Sequence, residues 1–500
     1  MVSLSFDARP FRRALLVPAV LAVLGLAPEQ AEKVPLHRTV DLNVGESASV
    51  ALGDGSKAAV RVIRVSETRD RFRSAVREAR VVVDVNGAQG ELVCANYRLP
   101  VTLGGVQVDC PATSALATNS RSDAWGLDKS ARVRIWPAKS PWIDPGAFKY
   151  PARQKWFASG TQMANEPTFV DGGEVPGTKT IYYHNGLDIG GAEGLVDVIA
   201  ATDGLVVSSG TDRLPGHENT PVAPRYDVVY LLDARGWYYR YSHLKTIAPA
   251  IRPGATVTMG DAIGVLGKEG GSGGWSHLHF EIGSRQPSGK WGTEEGYAFL
   301  WQSYVAEFQP DVIAVARPHH LAAVGESVVL DGSRSWARSG GTLRFDWTMT
   351  DGSAATGPRI ERRYDRPGMY SEILKVTDAG GRAAWDFAVV QVIDPAEPQA
   401  LPPSIQAAYA PSLNLRAGDP VTFKVRTFRT QDGEEVWDFG DGTKPVTVKS
   451  DGNANIHDPN GFAVTEHRFA TPGDYVVSVK RTNARGFTAT ARLWVHIGQR

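Results

Sequence analysis

Five of the 11 histidines in the chain fall within residues 184–279, and the spacing of four of them could serve chemistry. The clearest pair is His277 and His279, whose neighbours Leu278 and Phe280 are apolar at alternate positions, the pattern of a strand. Positions i and i+2 of a strand point to the same face. The sequence therefore predicts two imidazoles facing one groove, suited to metal binding or acid–base work, with a pair of ordinary exposed polar residues as the alternative.

A second pair, His184 and Asp188, lies four positions apart around Gly186, which allows the backbone to bend so that both side chains converge. Imidazole and carboxylate are both good zinc ligands, at about 2.0–2.2 Å. Residues of these types are also common on loops without any such role. Two histidines and one carboxylate would complete a three-ligand catalytic zinc site, which leaves two histidines, one of them in the stretch before Leu244, for proton transfer and oxyanion support.

The segments around these residues read mainly as strands. Residues 181–284 alternate short apolar runs with glycines, which predicts a twisted, mostly antiparallel sheet. Glu294–Phe308 has apolar residues spaced for a helix that packs on this sheet, and Pro310 would end it. Residues 33–140 also alternate as strands, and we expect them to form an N-terminal β domain of unknown family.

Taken together, the H-x-x-x-D, Y-S-H-L and H-x-H motifs resemble those of the lysostaphin-type (LytM-like) zinc endopeptidases. The resemblance implies that His184, Asp188 and His279 bind one Zn²⁺ per chain. It also implies that His243 and His277 are the catalytic histidines, one activating water and the other stabilising the tetrahedral oxyanion, without saying which does which. The chain has no H-E-x-x-H motif with its glutamate base, so the base is expected to be a histidine.

The resemblance further implies a zinc metalloendopeptidase that hydrolyses peptide bonds in the stem peptides or cross-bridges of peptidoglycan. Two alternatives stay open: a non-catalytic cell-surface protein that uses the same fold as a scaffold, and a secreted peptidase that acts on proteins. Glu281 lies on the same strand face as the ligands and could support them, although a surface carboxylate is the interpretation that the sequence favours. The longer segment 211–226, with His217, is expected to form a groove wall, and Trp275 either lines the groove or packs beside it.

Two further modules repeat one set of features after residue 310. The second copy has W-D-F-G-D-G at Trp437–Gly442 and P-G-D-Y at Pro472–Tyr475, whereas the first has W-T-M-T-D-G at Trp347–Gly352. They resemble the PKD domain, an immunoglobulin-like β-sandwich, with the first copy divergent. The resemblance implies a binding or spacer role, with polysaccharide or protein ligands as the expected partners.

Composition and the N-terminus bear on location. Lys+Arg and Asp+Glu are equal at 54 each, which gives no support to a nucleic-acid partner. Arg9, Arg12 and Arg13 precede the apolar run Ala14–Ala27, the pattern of a signal peptide, with an uncleaved membrane anchor as the alternative. We therefore expect an exported protein, which is periplasmic, displayed at the cell surface or secreted.

The two cysteines, Cys94 and Cys110, flank a predicted hairpin with a Gly-Gly turn. In an exported protein a disulfide is the natural interpretation, and two free buried thiols are the alternative. The expected architecture is mainly β: an N-terminal β domain, an antiparallel-sheet peptidase domain and two immunoglobulin-like β-sandwiches. The predicted boundaries are 1–32 for the signal peptide or anchor, 33–140 for the N-terminal β domain and 141–310 for the peptidase domain. The two PKD-like domains are predicted at 311–396 and 401–498.

Overall fold

The computed structural model describes residues 33–94, 97–118, 124–161, 167–169 and 181–499. The predicted signal peptide or anchor, at 1–32, lies outside the described residues, as do residues 162–166 and 170–180 of the predicted peptidase domain. The described chain is mainly β, with its strands arranged in many antiparallel sheets, which confirms the predicted fold class. Within these residues, no helix has the length and apolar character that a membrane crossing would need.

The N-terminal module consists of strands whose inward residues are apolar. Its elements are β1 Arg38–Leu42, β2 Ser47–Ala51, β3 Lys57–Arg69, β4 Val76–Val85, β5 Ala88–Val93, β6 Val101–Leu103, β7 Val106–Thr113, α1 Ala115–Thr118 and β8 Ala131–Trp136. They form two four-stranded antiparallel sheets, in the orders β2-β3-β4-β5 and β1-β8-β7-β6. In β3, Ala58, Val60 and Val62 alternate with exposed residues and enter a core shared by both sheets, as a period of two requires.

The predicted hairpin is present, but the predicted disulfide is not. Gly104 and Gly105 both have positive φ and connect β6 to β7. Cys110 lies in β7, whereas Cys94 follows β5 and therefore lies outside the hairpin. Both are free, buried thiols. A hydrogen bond with Cys110, together with burial, raises the pKa of the Cys94 thiol well above its usual value.

The middle module is built on an eight-stranded antiparallel sheet. Its elements are β9 Pro167–Phe169, β10 Ile181–Tyr183, β11 Leu187–Gly190, β12 Asp197–Ile199, β13 Gly204–Ser209, β14 Asp212–Arg213, β15 Val229–Leu232, β16 Tyr238–Ser242, β17 Leu244–Ile247, β18 Thr256–Val257, β19 Ala262–Leu266, β20 His277–Arg285, β21 Trp291–Glu294 and α2 Tyr297–Phe308. The sheet runs β11-β20-β16-β15-β13-β14, with β21 paired to β20 and β18 paired to β13. A smaller antiparallel sheet has the order β12-β19-β17.

Helix α2 covers the core of this module. It begins at Tyr297 rather than at the predicted Glu294, because residues up to Glu294 form β21 and pair with β20. It ends at Phe308 with Gln309 in the left-handed conformation, just before Pro310, as predicted. Buried aromatic residues of the helix, such as Trp301, pack into a core that includes the sheet residue Phe280.

The C-terminal half consists of two β-sandwich modules. Their strands are β22 Val312–Ile313, β23 His320–Ala323, β24 Ser327–Asp331, β25 Trp336–Ala337, β26 Arg344–Thr348, β27 Ala354–Thr356, β28 Arg359–Arg363, β29 Gly368–Thr377, β30 Ala383–Ile393, β31 Ser404–Ala410, β32 Val421–Phe428, β33 Glu435–Asp438, β34 Val446–Val448, β35 Ala463–His467, β36 Gly473–Thr482 and β37 Thr488–Ile497. Trp347 and Trp437, at equivalent places in the repeat, are both fully buried. A short parallel contact, Met369 with Ala489, joins the two modules through β29 and β37.

Candidate active site

The register of three neighbouring strands places the predicted ligands side by side. In the antiparallel pair β11–β20, Asp188 lies opposite His279, and on the other side of β20 Ser242 of β16 lies opposite His279. His184 precedes β11 and is turned towards them at Gly186, whose φ is +82°. A Cβ at Gly186 would lie 2.9 Å from the carbonyl oxygen of Phe280, so this turn requires glycine.

The three predicted ligands form a compact triangle. His184 Nε2 lies 3.0 Å from His279 Nδ1, and Asp188 Oδ1 lies 3.1 Å from His184 Nε2 and 3.0 Å from His279 Nδ1. Bonds of 2.0–2.1 Å around a tetrahedral zinc ion require ligand atoms about 3.3 Å apart, close to these separations. Two ring nitrogens converging on one carboxylate oxygen fit a shared dication, so the donor set matches a zinc site.

Glu281 supports this triangle from its outer side. Its Oε2 lies 3.5 Å from His279 Nε2 and accepts a hydrogen bond from Arg240 at 3.3 Å, and its Oε1 accepts one from Asn185 at 2.7 Å. Although burial opposes it, His279 and Arg240 lower the pKa of Glu281 to about 2. The favoured interpretation of Glu281 as a surface carboxylate is therefore wrong, because Asn185 before β11, Arg240 of β16 and His279 of β20 enclose it.

His243 and His277 lie beside the triangle, with ring centroids 4.6 Å apart. The Nδ1 of His243 is 2.6 Å from the carbonyl oxygen of Glu269, and the Nδ1 of His277 is 3.1 Å from that of Trp275. A carbonyl oxygen only accepts, so both Nδ1 atoms carry the proton and both Nε2 atoms are left as acceptors. Burial lowers the pKa of both rings, to about 3 for His277, which favours neutral bases.

The backbone of His243 is held in an unusual conformation by Asp227. His243 has φ +66°, a left-handed conformation that is uncommon for a residue with a side chain. Its main-chain N–H donates to Asp227 Oδ2 at 2.9 Å, and Arg225 forms an ion pair with the same buried carboxylate. Although burial opposes it, the hydrogen bonds from His243 and Arg225 hold the pKa of Asp227 well below its usual range. Single-sequence reasoning missed both residues, since neither belongs to a ligand motif.

Two other residues singled out in the sequence do not reach the triangle. His217 Nδ1 is 2.9 Å from the hydroxyl of Tyr238, in the exposed segment 211–226, and His217 does not belong to the metal-binding cluster found among the described residues. Trp275 stacks on Phe428 of the second β-sandwich, with ring centroids 4.0 Å apart and planes within 5°. Of the two interpretations of Trp275, the structure supports packing, and its partner comes from a module that the sequence did not connect to the site.

Comparison with known proteins identifies the modules. Residues 182–290 match the model of Peptidase family M23, and residues 309–392 and 406–494 each match the PKD domain. The chain therefore contains an M23 peptidase domain followed by two PKD domains, as the resemblance predicted. This assignment and the His–Asp–His cluster support a metallopeptidase with a peptide substrate. The positions of the individual ligands and catalytic histidines stay predictions.

Solved structures give weaker similarity. Csd3 from Helicobacter pylori shares 18% identity over 49% of this chain and 51% of its own, with a TM-score of 0.23. The fibronectin(III)-like modules of CbhA from Clostridium thermocellum share 15% identity over 38% of this chain and 94% of their own, with a TM-score of 0.15. The chain thus spans about half of the length of Csd3. No curated protein matches the chain.

Proposed function

We propose that this chain, which carries a Peptidase family M23 domain, is an exported zinc endopeptidase that hydrolyses peptide bonds in the stem peptides or cross-bridges of peptidoglycan. The observation that carries the proposal is the triangle of His184, Asp188 and His279, with the acceptor nitrogens of His243 and His277 beside it. Three protein ligands leave a zinc ion one open position, as catalytic sites require.

When bound, zinc would lower the pKa of a water molecule and polarise the scissile carbonyl group. His184, Asp188 and His279 would hold the ion, and Glu281 would orient His279 through its Nε2. A neutral imidazole with its proton fixed on Nδ1 can take a second proton only at Nε2. Whichever histidine accepts the proton of the attacking water then becomes a donor at Nε2, able to stabilise the oxyanion or protonate the leaving amine.

The location and the wall substrate rest on the sequence. The arginines before the apolar run Ala14–Ala27 support export, and two PKD domains suggest ligand binding outside the peptidase domain. A cell-wall substrate agrees with both, because it is a large extracytoplasmic polymer whose cross-links are peptides.

The test is release of soluble fragments from purified sacculi by the exported portion, with and without a zinc chelator. We expect chelator-sensitive release of new amino termini by a protein that holds one zinc ion per chain. The His279→Ala variant should lose both zinc and activity. His217→Ala, a histidine outside the triangle, is the matched control and should retain both.

Other outcomes would redirect the proposal. Full activity of His279→Ala would refute the site assignment. A folded wild-type protein that binds zinc but leaves sacculi intact would refute the wall substrate and favour a secreted protein as the substrate. A folded protein that binds no zinc would favour a non-catalytic scaffold.

A further inference from the structure

Both predicted catalytic histidines are oriented by one loop, residues 269–276, which connects β19 to β20. Its first carbonyl, from Glu269, accepts from Nδ1 of His243, and the carbonyl of Trp275 accepts from Nδ1 of His277. The position of this loop therefore decides which ring nitrogen of each histidine is left as an acceptor. The 269–276 loop contains four glycines, so its own sequence gives it little rigidity.

The second PKD domain holds the end of the 269–276 loop that precedes His277. Ser276 N–H donates to Gln406 Oε1 at 2.7 Å, and Gln406 Nε2 donates back to the carbonyl of Ser276 at 2.7 Å. Gln406 Nε2 also lies 2.6 Å from the hydroxyl of Thr161. Gln406 is 1% exposed, so these hydrogen bonds are shielded from water. A group that lost its partner here would stay unsatisfied.

Three more contacts come from the same domain. The carbonyl of Gly274 accepts from Arg426 Nη1 at 3.2 Å, and the carbonyl of Gly273 accepts from Asn453 Nδ2 at 3.1 Å. Phe428 stacks on Trp275. The Arg426 side chain is fully buried and forms an ion pair with Asp451 at 2.5 Å, so its donors are fixed in direction.

Gly274 shows how closely the 269–276 loop approaches the second PKD domain. Its φ is +89°, and a Cβ there would lie 2.1 Å from Asn453 Oδ1. The loop and the second PKD domain are therefore complementary in shape at this point. This close approach leaves no room for a ligand between the loop and this part of the domain.

We infer that the second PKD domain contributes to the peptidase active site. In this inference Gln406 is a positioning residue, which acts on His277 through Ser276 and the Trp275 carbonyl. The Ser276 N–H that Gln406 holds and the Trp275 carbonyl that meets His277 belong to one planar peptide group, so release of Gln406 should free the ring of His277 to turn. The face formed by β31 and β32 then serves the site rather than an outside ligand. The activity part of this inference rests on the proposed function.

The chain offers a control within the same interface. Ser412 Oγ of the second PKD domain accepts a hydrogen bond at 3.0 Å from the main-chain N–H of Lys155, at a place that makes no contact with the 269–276 loop among the hydrogen bonds described. Gln406→Ala and Ser412→Ala therefore both weaken the interface, but only the first removes a contact to the loop. Asn453→Ala removes an exposed contact to Gly273 and serves as a second loop variant with little risk to folding.

Hydrogen exchange followed by mass spectrometry tests the inference without any substrate. In full-length protein loaded with zinc, amides of residues 269–276 should exchange at least about tenfold faster in Gln406→Ala, and to a smaller extent in Asn453→Ala, than in wild type or Ser412→Ala. Unchanged exchange in both loop variants would overturn the inference. An equal rise in Ser412→Ala would also overturn it, because the effect would then be general loosening of the interface.

Kinetics test the positioning role. With sacculi as substrate, kcat of Gln406→Ala should fall about tenfold or more while KM stays within about twofold, since binding groups are untouched and one proton acceptor is misplaced. The visible spectrum of the cobalt-substituted variant should match that of wild type, because the ligands do not move. Unchanged kcat despite faster exchange would refute the positioning role. If wild-type protein leaves sacculi intact, the proposed function fails, while the exchange result still decides whether the domain holds the loop.

Discussion

Replacement of Asp227 should impair catalysis without removing the metal. Asp227 is not a predicted ligand, but its buried carboxylate accepts the main-chain N–H of His243 at 2.9 Å and pairs with Arg225. Asp227→Asn keeps one acceptor oxygen and turns an amide group towards Arg225, so one of these two partners is lost. Asp227→Ala loses both and leaves the N–H of His243 buried without a partner.

The expected losses of stability depend on how exposed the partners of Asp227 are. The side chain of Arg225 is 32% exposed and can be hydrated, so we expect Asp227→Asn to cost about 1–2 kcal/mol of unfolding free energy. The unsatisfied N–H in Asp227→Ala should add about 1–3 kcal/mol. Only Asp227→Ala removes the contact that holds the left-handed backbone of His243, so kcat should fall about 100-fold in that variant. In Asp227→Asn, where the N–H contact remains but Arg225 is released, the fall should be about tenfold.

The assay is kcat and KM on sacculi at saturating zinc, together with zinc content and urea unfolding. Asp233→Asn is the matched control, because Asp233 also pairs with an arginine and accepts main-chain N–H groups, but in the β15–β16 turn. It should lower stability and leave kcat near wild type. Wild-type kcat in Asp227→Ala would refute the reasoning. Loss of zinc in that variant would show that Asp227 acts on the ligands instead.

Two further predictions concern carboxylates whose pKa values are lowered by neighbouring cations. Glu281→Gln should weaken zinc binding about 10- to 100-fold in a competition titration, because a neutral amide supports His279 less well, and unchanged affinity would contradict this. Glu294→Gln should lower the unfolding free energy by about 3 kcal/mol at pH 7, because although burial opposes it, His37 and Arg134 lower the pKa of Glu294 to about 2. A depressed folded-state pKa stabilises above the unfolded pKa, so the difference from wild type should persist above about pH 4.5 and vanish as pH falls towards 2. A difference that does not vary with pH would contradict the assignment.

Local patterns were enough to predict the elements that carry the chemistry. Alternating apolar residues around His277 and His279 predict a strand with both rings on one face, and β20 has this form. Gly186 predicts the turn that brings His184 back to Asp188, and its close approach to Phe280 explains why. These predictions succeed because each depends on residues that are near one another in the chain.

Contacts between segments that are distant in the chain could not be predicted from the sequence. The hydrogen bonds between Ser276 and Gln406 join positions 130 residues apart, and no residue type at either position signals the other. Glu281 was misjudged for the same reason, because it is enclosed by Arg240 of β16 and by Asn185, which precedes β11. The predicted disulfide is absent although the thiols of Cys94 and Cys110 are close enough to hydrogen-bond, because residue spacing does not distinguish two neighbouring free thiols from a disulfide.

The sequence identifies the two histidines but not which ring nitrogen each one offers, and this difference has a physical basis. A motif can show that His243 and His277 are present, but the nitrogen that each ring offers depends on which main-chain carbonyl meets its other nitrogen. Here both carbonyls come from the 269–276 loop, which Tyr226 contacts at Gly270 and Gln406 contacts at its other end. Neither anchor is itself a predicted ligand. The capacity of the two histidines to accept protons at Nε2 therefore depends on how two distant segments, around Tyr226 and Gln406, hold this loop.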